Sequence, residues 1–489
     1  MIPLYHGRQI RDLERLAIEA SVVDDDELML RAGKAAFDAL IARWPQVKVI
    51  TVCCGKGNNG GDGFVIAQLA HEYGLKVTAY LVGESTTQLR GAAAKAAKTC
   101  QVPIRPFPEV LHFKGDVIVD ALLGSGLSGE VKSPYTKIIK AINKASQSKL
   151  AIDVPSGINA DTGEVQGCAV KADLTITFIG LKRGLYTNQA PAYCGKLLLD
   201  DLNFSDSLFL RVQPKTYLLQ WQNLRSLLPR RERDSHKGTY GHVLIVGGDY
   251  GMGGAVRMAA EAAARVGAGL VTVATRPEHV SVVSGSRPEL MCHQVAEAND
   301  LDPLIDRAMV LVVGPGLGTS DWAKSLLNKL LDKKFPKVLD ADSLTLLAEH
   351  PLKRDDWILT PHPGEASRLL GVTCQDIQRD RFKAVTALQN KYHGVVVLKG
   401  VGTLIKGDSE IIYVCPVGNP GMASGGMGDI LSGVIGGLLA QRLSLLKATE
   451  LGVFIHSLAA DCAAEEGGER GLLASDLLPH LRLLVNPTK

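Results

Sequence analysis

Short apolar runs rich in Val and Ile alternate along the chain with Ala-rich stretches of helical period. In the first half the runs fall at 47–53, 76–82, 116–121, 150–154 and 174–179. Helical patterns lie between them at 63–73, 86–97 and Tyr135–Lys144. Strand–helix–strand alternation predicts a mostly parallel sheet with helices on both faces. Residues 1–16 read as an amphipathic helix, because Arg8, Arg11, Asp12, Glu14 and Arg15 stand where an export signal needs an apolar core. The pattern pauses over 203–229, a Leu- and Gln-rich stretch without strand periodicity, and restarts at His242–Val246. A second series follows at 270–274, Val310–Val313, 337–340, Trp357–Leu359 and 394–399. The runs 404–406 and 410–414, with Gly407-Asp408 between them, predict a hairpin. Helices are expected at 256–266, 429–440 and 446–465. The chain therefore reads as α/β, with two domains at 1–215 and 225–489. The halves share no motif and contain no repeat, so they are different units joined end to end.

Composition narrows the picture. Of 489 residues, 46% are hydrophobic and 21% charged, which is ordinary globular usage. The net charge of +3 is spread without a basic stripe, so no nucleic-acid partner is expected. The longest apolar run, 430–440, is too short for the roughly 20 residues of a membrane helix. Nine cysteines without a CxxC pair argue against a disulfide framework or a zinc site and for a reducing cytoplasm. Cys53 and Cys54 end a strand and are expected in the core. The excess of glycine (51 residues) is expected in ligand loops.

In the first domain Gly55, Gly57 and Gly60 satisfy G-x-G-x-x-G between a strand and a helix. Backbone amides of such a loop suit a phosphate or pyrophosphate, although a tight turn gives the same pattern. Asn58, Asn59 and Asp62 are polar where a plain turn needs only glycine. The lack of a following Lys-Ser/Thr pair argues against a nucleotide-hydrolysing loop. Asp120 and Asp153 each end a strand, and Ser156 follows Asp153 closely. Ligands of doubly wound sheets bind at that edge. Amide, carboxylate and hydroxyl oxygens gathered there suit a hard cation.

In the second domain the densest signal is the run from Gly418 to Asp429, followed by the apolar helix. Glycine density leaves amides free for phosphates at the helix N-terminus. A carboxylate beside them accepts a proton from an attacking hydroxyl, as phosphoryl transfer requires. The plain alternative is that Asp429 only caps the helix. Gly314–Gly318, Asp340–Asp342, Thr360–Glu365 and Lys399–Thr403 also end strands. His362, flanked by two prolines, is either a substrate contact or a rigid turn residue. Lys399 reads as a phosphate contact or a surface lysine.

These motifs carry a resemblance over nearly the whole chain. The run Gly57-Asn58-Asn59-Gly60-Gly61-Asp62-Gly63, with Asp120–Gly124 and Asp153–Gly157, resembles the NAD(P)H-hydrate epimerase domain, which is Rossmann-like. The second half is similar to the NAD(P)H-hydrate dehydratases of the ribokinase-like superfamily. For the epimerase, the resemblance implies substrate contacts from Asn58, Asn59, Gly60, Gly61, Asp62, Gly124, Ser125, Gly126, Leu127, Ser128, Gly129, Glu130 and Asp153. It implies a potassium ion on Asn59, Asp120 and Ser156, and Asp153 is the expected acid/base. For the dehydratase, it implies a hydrate site of Ala255, Gly316, Leu317, Gly318, His362 and Asp429. It implies nucleotide contacts from Lys399, Gly400, Val401, Gly402, Thr403, Asn419, Gly421, Ser424, Gly425, Gly426 and Gly428. ADP with Mg²⁺ is the expected donor, ATP the alternative, and hydrated NADH or NADPH the substrate. Ser125 and Ser424 stand where the families often have Thr. Thr345 stands where Asn is frequent, so it is left out of the site. A cytoplasmic homo-oligomer acting on small molecules is expected. The rival reading is a vitamin-precursor kinase fused to a non-catalytic binding module. A stable phosphorylated alcohol as product would mark it.

Overall fold

The apolar runs of the first half pair into a seven-stranded sheet. Its order is Ile104–Pro106, Lys76–Leu81, Val49–Cys54, Val117–Ala121, Ser148–Ile152, Leu174–Phe178 and Lys196–Asp200. Every pairing is parallel. Val117–Ala121 and Leu174–Phe178 are buried along their whole length, as central parallel strands covered by helices must be. The strand order reverses between Val49–Cys54 and Val117–Ala121, which opens a crevice at their carboxyl ends. Cys53 and Cys54 are fully buried there.

The computed structural model describes residues 1–486, so positions 487–489 of the expected second domain lie outside the described residues. The chain divides into Pro3–Thr216 and a second unit of residue 217 onward with Met1–Ile2. In the second unit Trp357–Leu359, Lys337–Leu339, Val310–Val313, His242–Val246, Leu270–Thr275 and Met291–Gln294 lie side by side and parallel. Val395–Leu398 extends this array in parallel, and Thr403–Lys406 and Ile412–Cys415 continue it antiparallel. The order reverses between His242–Val246 and Val310–Val313.

Several expectations change. The N-terminal stretch is a strand, Ile2–Leu4, and then a helix, Gly7–Glu19, that His6 caps. The hairpin loop is five residues, because Lys406 pairs with Ile412. The helix expected over 86–97 is a short turn, Thr86–Gln88, and a separate helix, Gly91–Thr99, parted by extended Leu89 and Arg90. Thr216–Leu218 forms a strand inside the supposed pause. Helix Asp25–Arg43 lay in no expected element, although Asp24 caps it and Asp25, Asp26 and Glu27 fill its first turn.

The glycine-rich loop also differs. The helix begins at Asn58, so Asn58 to Asp62 form its first turn instead of a loop before it. Close packing overrides the poor helix propensity of glycine here. A Cβ on Gly60 would stand 2.0 Å from the Gly55 carbonyl oxygen, and one on Gly63 2.7 Å from Cys54 Sγ. Part of the glycine excess therefore serves backbone contact and not ligands.

The second unit repeats the device between two helices, Gly253–Arg265 and Met427–Ala440. A Cβ on Gly433 would lie 1.9 Å from the Ala259 carbonyl oxygen, and one on Gly437 2.6 Å from that of Ala263. Gly→Ala inside a helix normally gains about 1 kcal/mol. Here overpacking costs about 1–3 kcal/mol and reverses the sign. Gly433→Ala is expected to lower the melting temperature; a higher one would contradict the backbone contact.

Candidate active sites

In the first unit a cavity of about 540 Å³ opens at the carboxyl edge of the sheet. Its wall includes Asn58, Asn59 and Asp62 from the helix start, and Gly124, Ser125, Gly126, Leu127 and Ser128 from the loop after Val117–Ala121. Asp153, Lys182, Glu14, Arg11 and Asp25 supply the rest of its charge. Gly129 and Glu130 are not in this wall, and the Glu130 side chain packs over Gly167. Gly60 and Gly61 are packing positions, against Gly55 and Met29.

Asp153 has a left-handed φ of 65°, a conformation Asp tolerates better than most residues. Lys182 Nζ donates to its Oδ1 at 2.6 Å, Thr177 Oγ1 donates to the same oxygen at 3.3 Å, and the Ser125 amide donates to Oδ2 at 3.1 Å. Burial acts to raise this carboxyl, but the Lys182 ammonium and the Ser125 bond outweigh it and hold it below the ordinary value. Asp153 is thus a fixed carboxylate that accepts hydrogen bonds, which fits orientation of a ligand better than donation of a proton. Burial and then the Asp153 charge raise Glu14 to about 7. Burial, Asp153 and Glu14 push Asp62 well up.

Asp120 and Ser156 lie fully buried and face each other. Ser156 Oγ donates to Asp120 Oδ1 at 2.6 Å and its amide to Oδ2 at 2.9 Å. Burial raises Asp120 to about 6 against these bonds. The Leu123 amide donates to Ser156 Oγ at 2.8 Å, and a Cβ on neighbouring Gly124 would lie 3.3 Å from Asn59 Cγ. Both polar atoms of the Asn59 amide are buried without a partner. Leaving them so costs about 1–3 kcal/mol, so this geometry fits a ligand for Asn59.

In the second unit Gly426, in the left-handed region at φ 89°, ends the glycine-rich loop and starts the helix that carries Asp429. Burial, then the Asp340 charge, raises Asp429 to about 7 against the pull of Lys399. Asp340 is fully buried: Lys399 Nζ donates to its Oδ1 at 2.7 Å and Ser432 Oγ to its Oδ2 at 2.6 Å. Burial raises Asp340, and the Lys399 charge and bonds more than reverse that. Lys399 also lies 3.6 Å from Glu365, whose carboxyl burial raises to about 7. Lys399 is therefore paired inside the site and is no surface lysine. A Cβ on Gly428 would touch both Asp340 and Lys399 at 3.3 and 3.4 Å, so the glycine-rich loop lies directly on this pair.

Other expected residues sort by their contacts. The Gly318 amide donates to Asp342 at 2.8 Å, and a Cβ on Gly316 would lie 3.1 Å from Ala255 Cβ. Leu317 is fully buried, so its side chain belongs to the core. His362 caps its own helix through Gly364 at 3.0 Å, and burial holds it below the usual histidine range. Buried Arg381 donates to the Leu398 and Lys399 carbonyls and braces the turn through Gly400 and Gly402 to Thr403. The Asn419 side chain is committed to Asp461 and the Gly421 amide at 2.9 and 3.0 Å, so it shapes the loop. Ser424 Oγ is buried without a partner, as a ligand contact would leave it. Sequence reasoning did not single out Glu14, Lys182 or Ser432. Only for Glu14 was there a signal, an acid on the inward stripe of a helix.

A family model described as NAD(P)H-hydrate dehydratase matches residues 243–482, and one described as YjeF-related protein N-terminus matches 25–184. The chain is 71% identical over 490 residues to a bifunctional NAD(P)H-hydrate repair enzyme of Coxiella burnetii, covering all of both chains. It is 42% identical to the Escherichia coli enzyme of that name, over 99% of this chain and 94% of that one. Among solved structures, an ADP/ATP-dependent NAD(P)H-hydrate dehydratase from Bacillus subtilis, co-crystallised with ATP/Mg²⁺, aligns at TM-score 0.50 and 28% identity. It covers 55% of this chain and 97% of its own. A ribokinase-like protein of Enterococcus faecalis aligns at 0.52 and 29%, over 55% of this chain and 95% of that one.

The Asp340 charge is what raises Asp429 after burial itself. Asp340→Asn removes that charge and frees the Lys399 ammonium, and both effects lower Asp429. A carboxyl-carbon NMR titration of the folded variant is expected to move the Asp429 midpoint down from about 7. An unmoved midpoint would refute the coupling.

Proposed function

The chain belongs to the bifunctional NAD(P)H-hydrate repair enzymes, and on that premise we infer how its two units divide the work. It is an enzyme that epimerises hydrated NADH and NADPH and dehydrates them back to the dihydronicotinamide. Residues 1–215 interconvert the R and S hydrates at C6 of the nicotinamide ring. Residues 225–489 consume the S hydrate. The vitamin-precursor kinase reading finds no support in relatives at 71% and 42% identity.

The observation that carries the dehydratase half is Asp429, raised to about 7 at the helix start behind a glycine-rich loop. A carboxyl with that affinity for protons is matched to its task near neutral pH. Its carboxylate takes the proton of the C6 hydroxyl as that oxygen attacks the terminal phosphoryl group of the nucleotide. The new O–P bond forms as the bond to the leaving nucleotide breaks. Phosphate then departs with the C6–O electron pair, a C5 proton is lost, and the ring double bond returns. Ala255, Gly316, Gly318 and His362 line the hydrate side. Lys399 to Thr403, Ser424 and the Gly425–Gly428 amides receive the donor. ADP is the proposed donor and ATP the second, in line with the Bacillus subtilis neighbour. Mg²⁺, when bound with the nucleotide, neutralises charge on its phosphates.

In the epimerase half Asn58, Asn59, Asp62 and Ser125 to Ser128 hold the hydrate, with Asp153 as a fixed acceptor. Asn59, Asp120 and Ser156 would hold potassium, which supplies positive charge near the substrate phosphates. The partnerless Asn59 amide supports that assignment. A monovalent ion tolerates neutral oxygen ligands better than Mg²⁺, which demands near-octahedral geometry. The proposed setting is a cytoplasmic homo-oligomer. All nine cysteines are free thiols, as a reducing compartment keeps them. No helix among the described residues is long and apolar enough to cross a membrane.

Asp429→Asn is expected to slow dehydration of the S hydrate about 10²–10⁴-fold and leave epimerisation intact. In the wild type, kcat/KM for dehydration should rise as pH passes about 7, where Asp429 becomes a carboxylate. Full dehydratase activity in the folded variant would remove Asp429 from the mechanism. Asp120→Ala is expected to weaken epimerisation and abolish its potassium dependence, with dehydration of the S hydrate unchanged. Equal wild-type epimerase rates in potassium and in a bulky organic cation would end the potassium assignment.

A further inference from the structure

We propose that Glu14 is a second proton-transfer residue of the epimerase site, acting on the C6 hydroxyl of the hydrate. The proposal rests on the reading of the first unit as the epimerase. Helix Gly7–Glu19 buries Ile10, Leu13 and Ala17, positions three and four apart on one face. Glu14 shares that inward stripe, where packing alone would favour an apolar residue. With Ile10 it forms part of the wall of the cavity that Asn59, Asp62, Ser125 and Asp153 also line.

The charged and titratable groups facing it are few. Asp153, Lys182, Arg11 from its own helix and Asp25 from the next act on its charge, Asp62 of helix Asn58–Glu72 is coupled to it in turn, and Tyr135 is a further titratable side chain of the cavity wall. Among the described residues no donor reaches the Glu14 carboxyl group, whereas Asp153 is bonded by Lys182, Ser125 and Thr177. Asp153 is thereby kept ionised and has no proton to give. Burial and the Asp153 charge keep the Glu14 carboxyl protonated up to about pH 7. Asp62 is also raised, but it is buried, whereas half-buried Glu14 stays in reach of water for proton exchange.

The acid form of Glu14 gives its proton to the C6 hydroxyl. The C6–O bond breaks, its electron pair leaves with water, and the N1 lone pair closes an N1=C6 bond. A water molecule adds to the opposite face of C6, and the proton it sheds returns through solvent to the Glu14 carboxylate. Charge and atoms balance over the cycle, and only the configuration at C6 changes.

The test uses the full-length protein with pure R hydrate and no nucleotide, so that dehydration is idle, and follows R and S by chromatography. Glu14→Gln keeps shape and loses the proton. Its kcat should fall about 10²–10⁴-fold with KM little changed, and Glu14→Asp should recover part of the rate. Wild-type activity should decline as pH rises through about 7, and the residual rate of Glu14→Gln should lack that limb. Retained binding of R hydrate at the wild-type KM shows that the first unit of the variant is folded, and unimpaired dehydration of S hydrate with ADP shows that the second unit is untouched. Wild-type kcat and an unchanged alkaline limb in Glu14→Gln would overturn the proposal alone, as would a loss expressed only in KM. A wild type that fails to interconvert R and S would overturn the epimerase reading itself.

Discussion

Each unit buries one aspartate against one lysine at the carboxyl edge of its sheet, and the chemistry depends on that pair. Lys182 meets Asp153 at 2.6 Å and Lys399 meets Asp340 at 2.7 Å. A desolvated ion pair is costly unless its remaining bonding capacity is satisfied. Ser125 and Thr177 do this for the first aspartate, and Ser432 for the second. The paired aspartate stays a carboxylate, and its charge raises a neighbouring acid that is half-buried in the same site. That acid is Glu14 in one unit and Asp429 in the other, each at about 7. Two unrelated units thus use one electrostatic arrangement: a locked carboxylate beside a carboxyl poised to exchange a proton.

Such pairs hold only where backbones can approach each other closely. Gly55 and Gly60 let helix Asn58–Glu72 start against the strand end, and Gly433 and Gly437 let the Asp429 helix rest on Gly253–Arg265. A Cβ at these points would meet backbone or packed side chains and force the helices apart. The glycines of this chain therefore act in two ways, as free amides for ligands and as contact points that fix where those amides sit.

The sequence made some of this legible. Central parallel strands are continuous apolar runs, so Val310–Val313, Trp357–Leu359 and His242–Val246 stand where expected. Edge strands need no such run, and Ile104–Pro106 and Lys196–Asp200, partly exposed, gave no signal. The motif residues Asn59, Asp62 and Asp429 were visible because each adjoins a glycine-rich turn, and Asp153 because it ends an apolar run. Their partners were not. Lys182 lies 29 residues beyond Asp153, and Lys399 and Ser432 lie 59 and 92 beyond Asp340, so no local spacing links them. Asp153 was expected as the acid/base, and the lysine that holds its carboxyl ionised was not visible at that distance.

One chain carries two consecutive activities, one removing the stereochemical limit of the other. The most direct test is to give the intact protein an equal mixture of R and S hydrate with ADP and Mg²⁺, and to follow recovery of dihydronicotinamide absorbance. Complete recovery is expected, with a later phase set by epimerisation. Recovery that stops when the S share is spent would contradict it.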